Sequence, residues 1–404
     1  MIKTKQASST DNAFFIAALL CLFLTSFPLA QGWISFGDFI PRFLFLAFVA
    51  VFKPKLFMTK DVVWLGLFFL YMFISGGVKS LVEFFAIIME FLTAIVISNY
   101  IITCKNDKHV QTMAWYAMIV TIFIMLSTCV VDFTRPGIVR EMVYFGYSGE
   151  LDMSNQFRRM GVCSYSFAMI SMCLAPVFLH LSSHKTHRLF YVACFALVCF
   201  FVYIAGITTC LLLLIFMLLV YIFNRHQKSI RSLVPSILMI GVVTYFAGFM
   251  IVEFLMPYFE GTTFYSHLAG LLEFYGKSTA DTDVYDVGDR VDLYDKSIAT
   301  FSANPFFGSA TGKASGHNYF LDKLARFGII GTAPLFIFLY YRFKISMRFV
   351  PSSAHTAYII CIIGFFVLGF LKNMSGIEYW IYMFLYIPCI LRVMEKGDVS
   401  KSIK

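Results

Sequence analysis

An all-α polytopic membrane protein is the fold this sequence predicts, and three observations predict it. Of 404 residues, 59% are hydrophobic and only 14% charged, with a mean hydropathy of +0.78, far above that of soluble domains of this length. The apolar residues gather into runs of ~17–25, long enough to cross a hydrocarbon core as helices. Lys and Arg come in short clusters between those runs, so the net charge of +9 reads as topology and not as a basic stripe for nucleic acid.

Twelve runs are predicted as spans, at 13–30, 37–52, 61–76, 81–102, 110–132, 161–181, 188–205, 208–223, 233–256, 328–342, 354–371 and 377–393. The second is short, and the seventh and eighth are parted only by "AGITT". The first follows "MIKTKQ" and has no good small-x-small cleavage site behind it, so it is expected to be a retained helix and not a secretory signal.

Loop charge orients the chain. With the N-terminus inside, inner segments carry Lys3 and Lys5, then Lys53, Lys55 and Lys60, then Lys105 and Lys108, then Lys185 and Arg188. Arg225, Lys228 and Arg231 follow, then Arg342, Lys344 and Arg348, then Arg392, Lys396, Lys401 and Lys404. These are 19 of the 32 basic residues, whereas the short outer loops "QGWISF", "GGVKS" and "KNMSG" hold two. The positive-inside rule therefore predicts both termini cytoplasmic.

Two long loops fall on the outer face, 133–160 and 257–316, and are expected to build a cap over a single integral membrane domain, 1–404. The second is acidic, with Asp281, Asp283, Asp286, Asp289 and Asp292 among its residues. No internal repeat, nucleotide-binding glycine motif or large cytoplasmic loop is evident, which argues against an ATP-driven machine. Nine of the ten cysteines lie inside apolar runs, where they act as small apolar residues. Neither a disulfide framework nor a metal site is expected. His184 and His187 in "SSHKTHR" are weakly spaced like a metal pair but lack further ligands.

The most informative stretch is "SGHNYFLDKLARFGIIG", Ser315 to Gly331. A helix starting at Ser315 or Gly316 places Phe320, Leu321 and Leu324 on one face and Asp322, Lys323 and Arg326 on another. That pattern predicts an amphipathic helix over 317–327 lying at the membrane surface, with His317 in its first turn and Gly328 and Gly331 where the chain turns into the next span. The bland alternative for His317 is a hydrogen bond to a loop carbonyl. Inside the membrane region, Glu83 and Glu90 share a helix face seven residues apart, and with Arg42 they read as structural pairing more than as part of a substrate groove.

The longer stretch "GDRVDLYDKSIATFSANPFFGSATGKASGHNYFLDKLARFGIIG", Gly288 to Gly331, resembles the O-antigen polymerase and ligase superfamily. The matching features are Arg290, Tyr294, Asn304-Pro305, Gly308, His317-Asn318 and Gly328 to Gly331. "QFRRMG" resembles that family's second arginine element, at Arg158 or Arg159, although Ser166 and Phe167 stand where Pro-Asn often follows. The resemblance implies a GT-C-like, metal-independent glycosyltransferase of the bacterial inner membrane, without a cofactor, acting on the periplasmic face in lipopolysaccharide biosynthesis. It implies His317 as the catalytic residue and Arg158, Arg159 and Arg290 as ligands of the pyrophosphate of an undecaprenyl-pyrophosphate-linked oligosaccharide.

Two activities share this core. A polymerase extends the lipid-linked repeat unit, and a ligase transfers finished glycan to lipid A core. The polymerase is the expected reading, because "HNYFLDKLARFGIIG" looks closer to polymerase versions and because "ITTC" stands where ligases often show Ser-Arg. Its expected partners are membrane lipids and, by pathway, a flippase and a chain-length regulator; nucleic acid is not expected. Salt bridges within the acidic loop for Arg290, and interfacial snorkelling for Arg158 and Arg159, are the alternatives for the arginines. A flippase of lipid-linked sugars is the competing class, and it predicts repeat symmetry and broken helices.

Overall fold

The computed structural model describes residues 9–33, 39–78, 80–104, 106–148, 151–183, 187–224, 235–241, 252–261, 265, 288–309, 314 and 316–399. Among these there is no strand, and the described residues are helical nearly throughout. In chain order the helices used below are α1 (Ser9–Ser26), α2 (Pro28–Trp33), α3 (Phe39–Phe52), α4 (Lys60–Ile74), α5 (Leu81–Thr103) and α6 (Asp107–Thr134). They continue with α7 (Ile138–Ser148), α8 (Leu151–Arg159), α9 (Tyr165–Ser171), α10 (Leu174–Leu181), α11 (Arg188–Ile204) and α12 (Thr208–Asn224). After a gap in the described residues come α13 (Gly288–Ala303), α14 (Tyr319–Phe349), α15 (His355–Leu371), α16 (Ile377–Ile381) and α17 (Ile387–Val399).

Five described helices are long and apolar enough to cross a bilayer: Leu81–Thr103, Asp107–Thr134, Tyr319–Phe349, Ser352–Leu371 and Ile377–Met394. Four shorter apolar helices accompany them, Thr10–Ser26, Phe39–Phe52, Arg188–Ile204 and Thr209–Asn224. Large apolar side chains stand fully outward along these elements, among them Val51, Val82, Ile119, Val130, Phe133 and Leu189. Such an apolar exterior is the mark of a surface that meets lipid. The chain is a helical membrane protein.

Several predicted boundaries move, each for a physical reason. The run 161–181 is two helices, α9 and α10, broken at Met172–Cys173. Pro176 has no N–H to give the Met172 carbonyl and its ring crowds that carbonyl, which stops one helix from running through. The split at "AGITT" holds, with Gly206 at φ +66° between α11 and α12. The segment 133–160, expected to connect two spans, carries two helices, α7 and α8. Their polar faces interrupt the apolar runs that mark spans, so a hydropathy reading passes over them. Of the predicted span 233–256, residues 242–251 lie outside the described residues, as do His184 and most of the acidic loop between 262 and 287.

The bundle sorts its connections by end. At one end Tyr100 donates its hydroxyl to the Asp11 carbonyl (2.9 Å), Lys53 pairs with Asp11, and Asn99 donates to the Leu56 carbonyl (3.0 Å). At the other end the Tyr319 N–H reaches the Lys372 carbonyl (3.1 Å), and Gly77 lies against the Phe327 ring. Segments that loop charge puts on one side thus touch one another. Arg342 departs from the loop-charge picture. It is not a loop residue: α14 runs on past it to Phe349, and its guanidinium is wholly buried against Asp61 (3.1 Å), with Asn99 and Ser98 as further acceptors. Each of those acceptors satisfies a donor that burial would otherwise strand.

The segment that matters for function is held by two glycines. Gly328 adopts φ +62° and breaks α14 into 319–327 and 329–349. The break exposes the first N–H groups of the second piece, which are met by the turn "NPFFG": Ile329 donates to the Pro305 carbonyl (2.8 Å) and Ile330 to that of Phe306 (3.0 Å). Gly308, at φ +74°, faces Gly328 so closely that a Cβ on it would stand 2.4 Å from the Gly328 nitrogen; a Cβ on Gly328 would stand 2.4 Å from Phe306 backbone. Only glycine meets both the positive φ and the contact. Gly328→Ala or Gly308→Ala is therefore expected to lower the melting temperature in detergent by several degrees, for a cost of about 2 kcal/mol or more. Gly66→Ala, with nothing within 4 Å of its Cβ, should leave it unchanged or raise it. Equal behaviour of all three would contradict this docking.

Candidate functional site

Helix α13 is tied down by Tyr294, whose hydroxyl donates to the Leu371 carbonyl (3.1 Å), and by Ser297, whose hydroxyl donates to Asp322 Oδ1 (2.7 Å). The other carboxylate oxygen of Asp322 reaches back to accept the Asn318 N–H (3.3 Å), closing the first turn of α14. Helix α14 starts at Tyr319 with Asn318 as its N-cap, so His317 sits just ahead of the helix and not in its first turn. The reason is local: Asn318 supplies the extended cap conformation (φ −120°, ψ 111°), and Gly316 (φ +75°) turns the chain immediately before. His317 itself is solvent-exposed. The fully buried Asn318 amide has no partner for its donor or its acceptor among the described residues. Such an orphan is uncommon and tends to mark a working site.

Gly316, the residue before His317, borders a cavity of about 510 Å³ whose lining does not include His317 itself, within the range of small-molecule sites. Gly316 is part of its lining, and α14 contributes Tyr319, Asp322, Lys323 and Arg326. The opposite wall is α5, with Glu83, Phe84, Ile87, Glu90 and Phe91; Phe68 and Met72 of α4 and Trp380 add apolar surface. The loop residues Asn373 to Gly376 border it. All of these come from one end of the bundle. The charged face of residues 317–327, expected at the membrane surface, in part lines a cavity: Asp322 is buried and bonded, while Lys323 and Arg326 look across at α5.

The charges divide by partner. Arg42, nearly buried on α3, pairs with Glu90 (3.1 Å), as the sequence suggested, yet Glu90 also lines the cavity. Lys323 holds its ammonium 5.4 Å from the Tyr319 ring centre and 5.7 Å from that of Phe327, distances at which a ring face attracts a cation. The Arg326 Nε is buried and unpartnered among the described residues.

Arg158 and Arg159 are not among the residues that line this cavity. At the end of α8, Arg159 donates its Nε–H to the Gly32 carbonyl (2.7 Å) and lies 4.9 Å from the Trp33 ring centre, so it clamps α8 to α2. A Cβ on Gly32 would stand 2.6 Å from the Arg159 nitrogen, which shows how close the two helices come. Arg158 is half-buried, and its Nε has no partner among the described residues. Neither residue lines the cavity. Arg290 lies in the first turn of α13, with its side chain outside the described residues. The segment after Arg158 reaches the cavity rim by another route: Ser164 donates to Glu378 Oε1 (2.7 Å) and Ser166 to the Ser375 carbonyl.

No model of a known protein family matches this sequence, and no curated protein matches it with significance.

Proposed function

We propose that the chain is a periplasmic glycosyltransferase that polymerises lipid-linked repeat units of O-antigen or a related surface polysaccharide, built on twelve spans with both termini cytoplasmic in a bacterial inner membrane. The observation that carries this reading is the ordered set from Arg290 through Asn304-Pro305, Gly308 and His317-Asn318 to Gly328. It is supported by the exposure of His317 and by its chain neighbour Gly316, which lines a cavity that has both an apolar wall and charges.

In this reading the acceptor sugar hydroxyl attacks the anomeric carbon of the donor. His317 takes the hydroxyl proton, a role that an imidazole nitrogen can fill. The bond from that carbon to pyrophosphate breaks as the new glycosidic bond forms, and direct displacement inverts the centre. Pyrophosphate leaves with its electron pair, and guanidinium forks stabilise the charge that grows on it. Arg290 and Arg158 are the ligands in this scheme. Arg159 is spent on the Gly32 carbonyl and Trp33 and acts by holding α8 in place.

The test uses purified protein, synthetic lipid-linked repeat unit and added chelator. Arg290→Lys and Arg158→Lys keep charge but lose the fork, so each is expected to be impaired almost as badly as the alanine variant, by about tenfold or more. Arg159→Lys should keep most activity. Activity that survives the first two substitutions, or that vanishes on chelation, would place the stabilisation of the leaving group elsewhere.

A further inference from the structure

We infer that the cavity between α5 and α14 is a second anion site, in which Lys323 and Arg326 hold the phosphate head of a lipid while its first isoprenoid-like units lie on Phe84, Ile87 and Phe91. The two cations sit three residues apart on one helix, hence on one face. Among the described residues neither makes an ion pair, and the Arg326 Nε is a buried donor left without an acceptor. A pair of cations that no ion pair closes, partly withdrawn from water, is costly unless an anion completes it. The acidic groups of the cavity do not complete it: Glu90 is engaged by Arg42, and Asp322 by Ser297 and the Asn318 N–H. Glu83, on the outer turn of α5, is exposed. Beyond the cations the wall is apolar, and it runs along a helix long and apolar enough to span the bilayer, so a head group bound here keeps its tail in hydrocarbon.

That the lipid is sugar-bearing rests on the polymerase reading. Polymerisation joins two molecules that both carry the pyrophosphate head, so it needs a second anion site besides the one that releases the leaving group. Ligation to lipid A core brings only one such lipid. The anion site itself stands on the cavity alone.

Farnesyl diphosphate titrated into the purified full-length protein in detergent, read by calorimetry, tests it. Saturable binding is expected, weakened about tenfold or more in Lys323→Gln/Arg326→Gln, because each charge-assisted contact is worth roughly that factor. Glu83→Gln should tighten binding by roughly threefold, since it removes a like charge from the cavity. Inorganic pyrophosphate should bind at least about tenfold more weakly than farnesyl diphosphate, having no tail to bury. Unchanged affinity in the double variant, checked for a wild-type melting temperature, overturns the site, and equal binding of inorganic pyrophosphate overturns the lipid. Where the double variant does not fold, Glu83→Gln decides, and no tightening counts against the site. Binding is read without turnover, so a chain that binds the lipid and makes no polymer loses the polymerase reading and keeps the site, whereas a polymerase that binds normally without Lys323 and Arg326 does the reverse.

Discussion

His317→Ala is expected to abolish the polymer that the proposed activity makes, while the protein remains inserted and folded. General-base catalysis typically supplies about 10²–10⁴-fold, and long glycan chains need many successive transfers, so even the lower figure erases the ladder. The structure favours a clean experiment. His317 is exposed, and the backbone bonds that hold its neighbours belong to Asn318, Tyr319 and Asp322, so the start of α14 should survive truncation at 317. His317→Gln, which keeps polarity and size but not basicity, should be as inactive as the alanine variant. Near-normal banding at matched expression would reduce His317 to a loop hydrogen-bonding residue.

The largest stability effect is expected at the other end of the bundle. Arg342 on α14 and Asp61 on α4 are both fully buried, and the guanidinium also reaches Asn99 and Ser98 on α5. Ser98 in turn donates to the Phe384 carbonyl (2.6 Å). Three helices and the C-terminal segment thus meet at one charge. Removing one partner of a buried pair leaves the other uncompensated, at a cost of about 3–5 kcal/mol. Arg342→Met should therefore lower both accumulation in the membrane and the melting temperature in detergent. Asp61→Leu/Arg342→Met should recover much of that loss, because no charge is left stranded. The pair lies away from the cavity, so protein that does fold should keep normal activity per molecule. A single Arg342→Met variant as stable as wild type would show that the cluster does not hold the helices together.

The sequence made the membrane-spanning character legible because lipid imposes its demand locally, as a long apolar run. It also made the turn at Gly328 legible, since glycines at 328 and 331 followed a charged stretch; the partner at Gly308 was named from the resemblance, but the contact between the two glycines lies in the fold alone. Helices α7 and α8 were passed over because their polar residues break up the apolar runs. The cavity was hidden for a different reason. Glu83 and Glu90 were readable as one face of α5, and Lys323 and Arg326 as one face of α14, but a pattern along a single helix does not say which helix it meets. Charges of opposite sign on two helices whose ends both read as outer were the available signal. The same limit applies to Arg158 and Arg159, adjacent and chemically alike in sequence and told apart only by the contacts of Arg159 with Gly32, 127 positions upstream, and with Trp33.

Deletion of the gene, read as the banding of lipopolysaccharide on a gel, tests the central claim most directly. Loss of a polymerase is expected to leave lipid A core capped by a single repeat unit, with long chains restored by the wild-type chain and not by His317→Ala. Bare core, with finished glycan stranded on undecaprenyl pyrophosphate, would contradict the account and make the chain a ligase.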